Sequence, residues 1–420
     1  MKREQIRAVR GVQDVLPPKT AVWQRVEAVA RDAFHRYGFG EIKIPTFEKT
    51  RLFARGIGEA TDIVHKEMYT FEDRGGDSLT LRPEATASIV RAYLEHHLGS
   101  SGDPVKLYCI GPMFRYERPQ AGRLRQFHQI NCEVLGSSHP AVDAEVIALA
   151  WEILTDLGLK GLTVHINTLG DAQDRPTYLE ALRAYFKPRL GELCEDCDRR
   201  FRDNPLRILD CRNPGCQKVA AGAPAYIDHV SPESKGIFRE VQSLLIGEAI
   251  PYRVNPRLVR GLDYYTHTAF EITAEGLGAQ NAVAGGGRYD GLVETLGGPP
   301  TPATGFAIGV ERLVSLVPGG GETRDETKVY LVALGEEAAS RAFGWAQKWR
   351  KAGLAVSWDY EGKSLKAQMK KADRSGAAFA VLIGENELEA GEAQVRDLRD
   401  GSQQAVPFDL IVQRIREGLD

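Results

Sequence analysis

The sequence predicts an α+β protein: an antiparallel sheet flanked by helices, interrupted by a helical insertion and followed by a separate α/β domain. Three observations predict it. Between residues 68 and 135 two pairs of strands lie close enough in sequence to be hairpins, and hairpins pair antiparallel. From Asp171 to about Pro251 no long β-run occurs, so this stretch reads as an insertion between core strands. Beyond residue 328 the pattern resets to strand–helix–strand–helix–strand, which implies parallel pairing in a domain of its own. The expected boundaries are 1–325, with the insertion at about 171–250, and 328–420.

Composition narrows the class. A chain of 420 residues with 43% hydrophobic and 26% charged content is long enough for a large core and ordinary for a soluble protein. Its net charge of −3 excludes a generic nucleic-acid binder, so any nucleic acid must meet local basic patches. The start, MKREQIRAVRG, lacks an apolar signal region, and no run approaches the roughly 20 apolar residues of a membrane span. A cytoplasmic location is the expectation. Six cysteines are too few for a disulfide scaffold.

The elements follow in order. Leu16-Pro17-Pro18 is an extended entry, and Thr20–Tyr37 repeats apolar residues at helical spacing before the stop at Gly38. Phe39–Phe47 alternates as a strand with Pro45 inside it, which puts that strand at an edge or ends it there. Met68–Phe71 and Ser78–Leu81 flank a polar turn, and Pro83 pre-sets the start of a helix over Ala85–His97. Leu107–Phe114 and Phe127–Leu135 are the next hairpin, then a helix over Ala141–Leu157 and a strand over Leu162–Leu169. After the insertion, Tyr252–Leu258, Ala269–Ile272, Asn281–Ala284 and Ala303–Ile308 read as strands, and Gly309–Leu313 opens a helix. Residues 317–327 are rich in Pro, Gly and charge and read as a linker. In the last domain strands are expected over Val329–Leu334, Leu354–Trp358 and Ala378–Ile383. Helices are expected over Glu336–Ala352, Ser364–Ser375 (Ser364 as N-cap) and Phe408–Glu417, with two more short strands before the last.

Four features carry chemistry. The loop of the second hairpin holds Arg115, Glu117, Arg118, Arg123 and Arg125, and guanidinium forks suit phosphate or carboxylate. A solvated hairpin tip would look the same. The following strand argues otherwise, because Gln129, Asn131 and Glu133 share one face by period-2 alternation. Second, Arg260 precedes Gly261 in a loop that ends on Tyr264 and Tyr265, which read equally well as core rings. Third, Gly285–Gly287 follow a strand and suggest close backbone approach to a ligand, in neither a P-loop nor a dinucleotide pattern. Fourth, Arg312 stands in the first turn of a helix, where a cation opposes the dipole. Glu84 and Thr86 at another helix start fit capping as well as binding. Such a set works by positioning and charge neutralisation, and fits nucleotidyl transfer to a carboxylate.

Cys194, Cys197, Cys211 and Cys216 form a C-x2-C-x13-C-x4-C pattern compatible with structural zinc. The second pair is looser than a zinc knuckle, and four reduced thiols are the favoured reading from spacing, with no metal assigned.

These residues resemble the class II aminoacyl-tRNA synthetases, and within them the histidyl-tRNA synthetases, over about residues 5–415. The helix–Gly–strand–Pro unit at 20–47 resembles the family's first motif, FRYER…RQFHQINCE its second and GFAIGVERL at 305–313 its third. LVRGLDYYTHTAFE at 258–271 and AGGGRYDGL at 284–292 resemble the two signatures of the histidine enzymes. The resemblance implies ATP with Mg2+, L-histidine and tRNA(His) as substrates and partners, and a homodimer built on the first motif. It implies Arg115 on the ATP α-phosphate, Glu117 by the adenine, Arg123 at the outer phosphates and Arg312 on the γ-phosphate. Arg260 is implied as a catalytic cation on the α-phosphate and the histidine carboxylate. Glu84, Thr86, Gln129 and Arg115 are implied around the amino and carboxylate groups of histidine, and Glu133, Tyr264 and Tyr265 around its imidazole. The insertion is implied over the tRNA acceptor end and residues 328–420 at the anticodon; no zinc role carries over. The alternative is a histidine-binding regulatory paralogue of ATP phosphoribosyltransferase, expected to lack the last domain and some phosphate-binding arginines.

Overall fold

The Lys19–Arg36 helix (α1) forms because Val22, Val26, Ala30, Ala33 and Phe34 make one buried stripe. Gly38 follows with φ +76°, a conformation a side chain would resist. The computed structural model describes residues 6–58, 61–119, 123–211, 213–262, 264–276, 281–318 and 328–418; most of the expected 317–327 linker lies outside them. The chain divides into two compact units, Met1–Gly321 and Glu322–Asp420.

In the first unit, β1 (Gly40–Glu41) is far shorter than the strand expected over Phe39–Phe47. The reason is Pro45 together with Arg82. The buried Arg82 guanidinium donates to the carbonyls of Ile44 (2.7 Å) and Pro45 (3.2 Å) and meets the need a neighbouring strand would have met. The chain resumes as β2 (Phe47–Lys49), α2 (Thr50–Ile57), β3 (Tyr69–Glu72) and β4 (Ser78–Leu81), and β2–β4–β3 form a small antiparallel sheet. Then come α3 (Thr86–Glu95), the hairpin β5 (Val105–Phe114) and β6 (Gln126–Leu135), α4 (Pro140–Asp156) and β7 (Thr163–Thr168). Pro83 lies ahead of α3 rather than in its first turn.

The insertion carries α5 (Asp174–Phe186), α6 (Glu195–Asp203), α7 (Leu206–Leu209), α8 (Pro214–Ala220) and α9 (Pro232–Gly247). The unit closes with β8 (Tyr252–Val254), β9 (Thr266–Thr273), β10 (Ala282–Arg288), α10 (Leu292–Thr295), β11 (Ala303–Gly309) and α11 (Val310–Leu316). Among the described residues the main sheet has eight strands in the order β1-β5-β6-β11-β10-β9-β7-β8. Its six central strands are antiparallel; β1 and β8 pair parallel at the two edges, so the sheet is mixed.

Alternation along these strands separates core from site. Ile130, Cys132 and Val134 of β6, Phe270 and Ile272 of β9, and Phe306 and Ile308 of β11 join one core with α1, α4, α9 and α11. Each such apolar side chain contributes roughly 1.5–3 kcal/mol on burial. The intervening residues Gln129, Asn131, Glu133, Glu271 and Gly305 therefore face the other side, toward a cavity. Gly285–Gly287, expected to follow the strand, are part of β10 itself. A one-residue slip of β6 would bury its polar row, so the core fixes the site's register.

Arg288 ties this sheet to α4. Its Nε lies 3.1 Å from both carboxylate oxygens of Asp143, and Nη1 donates to the Ser137 carbonyl at 2.9 Å. Both partners are almost wholly buried. Arg288→Ala would strand the Asp143 carboxylate and is expected to cost about 3–5 kcal/mol, read as a lowered urea midpoint. An unchanged midpoint would refute that role.

The second unit holds β12 (Lys328–Ala333), α12 (Glu336–Lys351), β13 (Ala355–Trp358), α13 (Leu365–Ser375), β14 (Phe379–Ile383), α14 (Glu385–Ala390), β15 (Glu392–Asp397), β16 (Gln403–Pro407) and α15 (Ile411–Glu417). β13, β12 and β14 are parallel, as βαβ crossovers require, and β15 and β16 add antiparallel. Ser364 stands at the N-cap of α13, but its hydroxyl makes no capping bond. The short α14 has no counterpart among the expected elements.

Candidate active site

The floor of the site is the polar row of β6. Glu133 is 1% exposed, and its Oε1 accepts from Thr86 Oγ1 at 2.7 Å. Its Oε2 accepts a short hydrogen bond from the Tyr289 hydroxyl. Directly opposite on β11 stands Gly305, where a Cβ would coincide with the Glu133 carboxylate. Burial pushes the Glu133 carboxyl up to about 8, against the Tyr289 and Thr86 hydroxyls, which favour the ionised form; nearby Glu84 adds to the rise. Glu84 is buried too. Its carboxylate accepts from the backbone N–H of Thr86 (2.7 Å) and Ala87 (2.9 Å), so it caps α3 while lining the cavity. Burial raises its carboxyl as well, opposed by those N–H groups.

A wall of rings stands beside this floor. Tyr264 lies 4.8 Å from Tyr265 and 5.5 Å from Tyr289, centroid to centroid. Burial raises the Tyr264 and Tyr289 hydroxyls well above the usual phenol, so both remain protonated donors. The loop that carries Tyr264 and Tyr265 is pinned from behind: Asn167 Nδ2 donates to the Leu258 carbonyl at 3.0 Å, and Arg207 Nη1 to the Gly261 carbonyl at 2.5 Å.

The cations line the rest. Arg260 Nη1 donates to Glu271 Oε2 at 3.3 Å, its guanidinium lies 5.6 Å from the centre of the Tyr265 ring, and its buried Nε has no partner among the described residues. A Cβ on Gly285 would sit 2.5 Å from Arg260 Nη1, so that glycine makes room for the arginine. Arg115 Nε donates to the Pro83 carbonyl at 2.8 Å, and Arg123 Nη1 to Glu117 Oε2 at 2.7 Å. Arg312 Nη1 donates to the Ala282 carbonyl at 2.8 Å, which explains a cation tolerated in the first turn of α11. Glu311 beside it accepts from the His128 N–H with both oxygens at 2.9 Å.

The eleven residues singled out from the sequence all border this one cavity of about 320 Å3, in the range of small-molecule sites. Tyr289, Glu271 and Glu311 border it too and carried no assignment. Tyr289 was within reach, since it ends the GGGRY run. Its bond to Glu133 crosses 156 positions of sequence and has no local signal. The cavity brings buried acids and tyrosine rings together with four guanidinium groups, an arrangement suited to an amino acid beside a polyphosphate.

Residues 11–184 and 206–313 match the family model described as Histidyl-tRNA synthetase. The chain belongs to the histidyl-tRNA synthetase family. Residues 328–418 match a second model, described as Anticodon binding domain. A histidine–tRNA ligase of Desulfitobacterium hafniense (strain DSM 10664 / DCB-2) is 52% identical over 406 residues, 96% of each chain. One of Halothermothrix orenii is 49% identical over 415 residues, 98% of this chain and 99% of the relative. The apo S. aureus histidyl-tRNA synthetase, a crystal structure, has a TM-score of 0.82 at 38% identity and covers 98% of this chain and 100% of its own. The histidyl-tRNA synthetase match spans the cavity residues from Glu84 to Arg312, and leaves out residues 185–205 of the insertion.

Proposed function

We infer that the chain ligates L-histidine to tRNA(His) in two steps, an ATP-consuming activation and a transfer to the tRNA. What supports this is the meeting, in one cavity of a histidyl-tRNA synthetase fold, of four arginines with a buried acid floor. In the first step a histidine carboxylate oxygen attacks the ATP α-phosphorus. The bond to the bridging oxygen breaks, and pyrophosphate leaves with its electron pair. In the second, a terminal ribose hydroxyl of the tRNA attacks the acyl carbon and AMP leaves.

Arg115 and Arg260 would take the negative charge that grows on the α-phosphoryl oxygens, and Arg123 and Arg312 the outer phosphates. Glu117 would face the adenine. Glu84, Thr86 and Gln129 would hold the ammonium and carboxylate end of histidine, with Arg115 and Arg260 also on the carboxylate. Glu133, Tyr264 and the nearby Tyr265 would read the imidazole, which offers one donor and one acceptor when neutral. Mg2+ comes with ATP; Glu271 and Glu311 border the cavity with the oxygen donors such a cation takes. Histidine-dependent exchange of labelled pyrophosphate into ATP tests the reading, and pure chain with no exchange would sink it. The regulatory paralogue has no observation in its favour: the anticodon-type domain is present and all four arginines border the cavity.

The 328–420 unit would bind the anticodon and the insertion would lie over the acceptor end; the location would be cytoplasmic. A homodimer is part of the proposal. Exposed Ile6, Val9 and Leu16 in the entry segment, and Phe47 and Phe71 on the small sheet, offer apolar surface for a second copy. Light scattering should give twice the chain mass; a monomer at micromolar concentration would refute it.

A further inference from the structure

We propose that the insertion of this chain holds one zinc ion on Cys194, Cys197, Cys211 and Cys216. Spacing alone favours reduced thiols, because Pro214-Gly215 loosens the second pair. The fold removes that objection. Pro214 and Gly215 form the first turn of α8 and bring Cys216 beside Cys194, whose backbone N–H donates to Cys216 Sγ at 3.2 Å. All four sulfur atoms lie within 4.8 Å of one another, and those of Cys194 and Cys211 are 3.9 Å apart. Tetrahedral zinc with bonds of about 2.3 Å needs sulfurs about 3.8 Å apart, so only a small contraction closes the site.

Three of the four thiols are buried, in a cluster with Leu182, Phe186, Ile208 and Tyr226. Soft thiolates in a tetrahedral set select zinc over hard cations. The Asn213 N–H points at Cys211 Sγ at 3.5 Å and, with the Cys194 N–H, would offset part of the thiolate charge. Binding converts four thiols to thiolates and releases four protons. Cys194 and Cys197 fall within residues 185–205, which the family match leaves out, whereas Cys211 and Cys216 fall inside it. The ion would clamp α6 and α8 around α7, whose Arg207 holds the Gly261 carbonyl next to Arg260. A brace at the thiols would thereby stiffen the loop that carries the catalytic cation.

The test is metal analysis of the full chain, purified without chelator and then reconstituted with zinc chloride under reductant. About one zinc per chain is expected, released by about four equivalents of an organomercurial. Cys211→Ser and Cys216→Ser should each lower bound zinc at least about tenfold. If those variants misfold, the mercurial titration of the unaltered chain still decides. Less than about a tenth of an ion after reconstitution would overturn the proposal. So would stoichiometric iron, or thiols that react with a disulfide reagent equally fast with and without zinc.

Discussion

Arg260→Ala is expected to slow histidyl-adenylate formation by at least about 100-fold, or about 2.7 kcal/mol of transition-state stabilisation, while histidine binding stays measurable. Within the histidyl-tRNA synthetase reading, Arg260 is, with Arg115, one of the two cations assigned to both the α-phosphate and the histidine carboxylate. It is also set up for the part. Glu271 holds one nitrogen, the guanidinium lies over the Tyr265 ring, and Asn167 and Arg207 anchor the loop on either side. Little reorganisation is then needed as charge develops, which is where such a group gains its advantage over water. Gly285→Ala is the companion experiment. It keeps the charge but places a methyl 2.5 Å from Nη1, so the side chain must move. Slow adenylation in both variants ties the rate to the position of the guanidinium. Pre-steady-state pyrophosphate release measures it, and an Arg260→Ala rate near wild type would remove the residue from the catalytic role.

The parts of this site that are local in sequence were legible there, and the parts that cross the fold were not. The polar row Gln129, Asn131, Glu133 follows from alternation, and the β5–β6 hairpin around it follows from two apolar runs. Period alone places α1, α4 and α12 to within a residue or two. What failed has a common cause. Phe39–Phe47 alternates like a strand, yet the carbonyls of Ile44 and Pro45 are taken by Arg82, some 37 positions away. The glycines of β10 read as room for a ligand. Gly285 borders the cavity and also makes room for Arg260, and Gly305 of β11 makes room for Glu133. A missing side chain shows in a sequence, but its occupant does not. Tyr289 and the packing of four thiols likewise depend on segments that meet only after folding.

Glu133→Ala is expected to weaken histidine binding about 10–100-fold and leave ATP binding unchanged, since it removes one charge-assisted contact to the ring. Equal loss of both ligands in a calorimetric titration would point instead to a structural role. Glu133→Gln separates the two further through pH. The Glu133 carboxyl is raised from 4.5 to about 8 by burial, so protonation favours the folded state. The stability tied to that proton is fully present below pH 4.5 and is lost as pH rises through about 8. The loss is on the order of 5 kcal/mol at its largest. Glutamine has nearly the same shape, can still accept from Tyr289, and does not titrate. Ligand-free Glu133→Gln should therefore melt higher than wild type at pH 8 and near it at pH 4.5. Histidine should close that gap for wild type more than for the variant, because only the acid gains a ring partner. Melting curves that stay parallel across this range would show that Glu133 is ionised in the free protein.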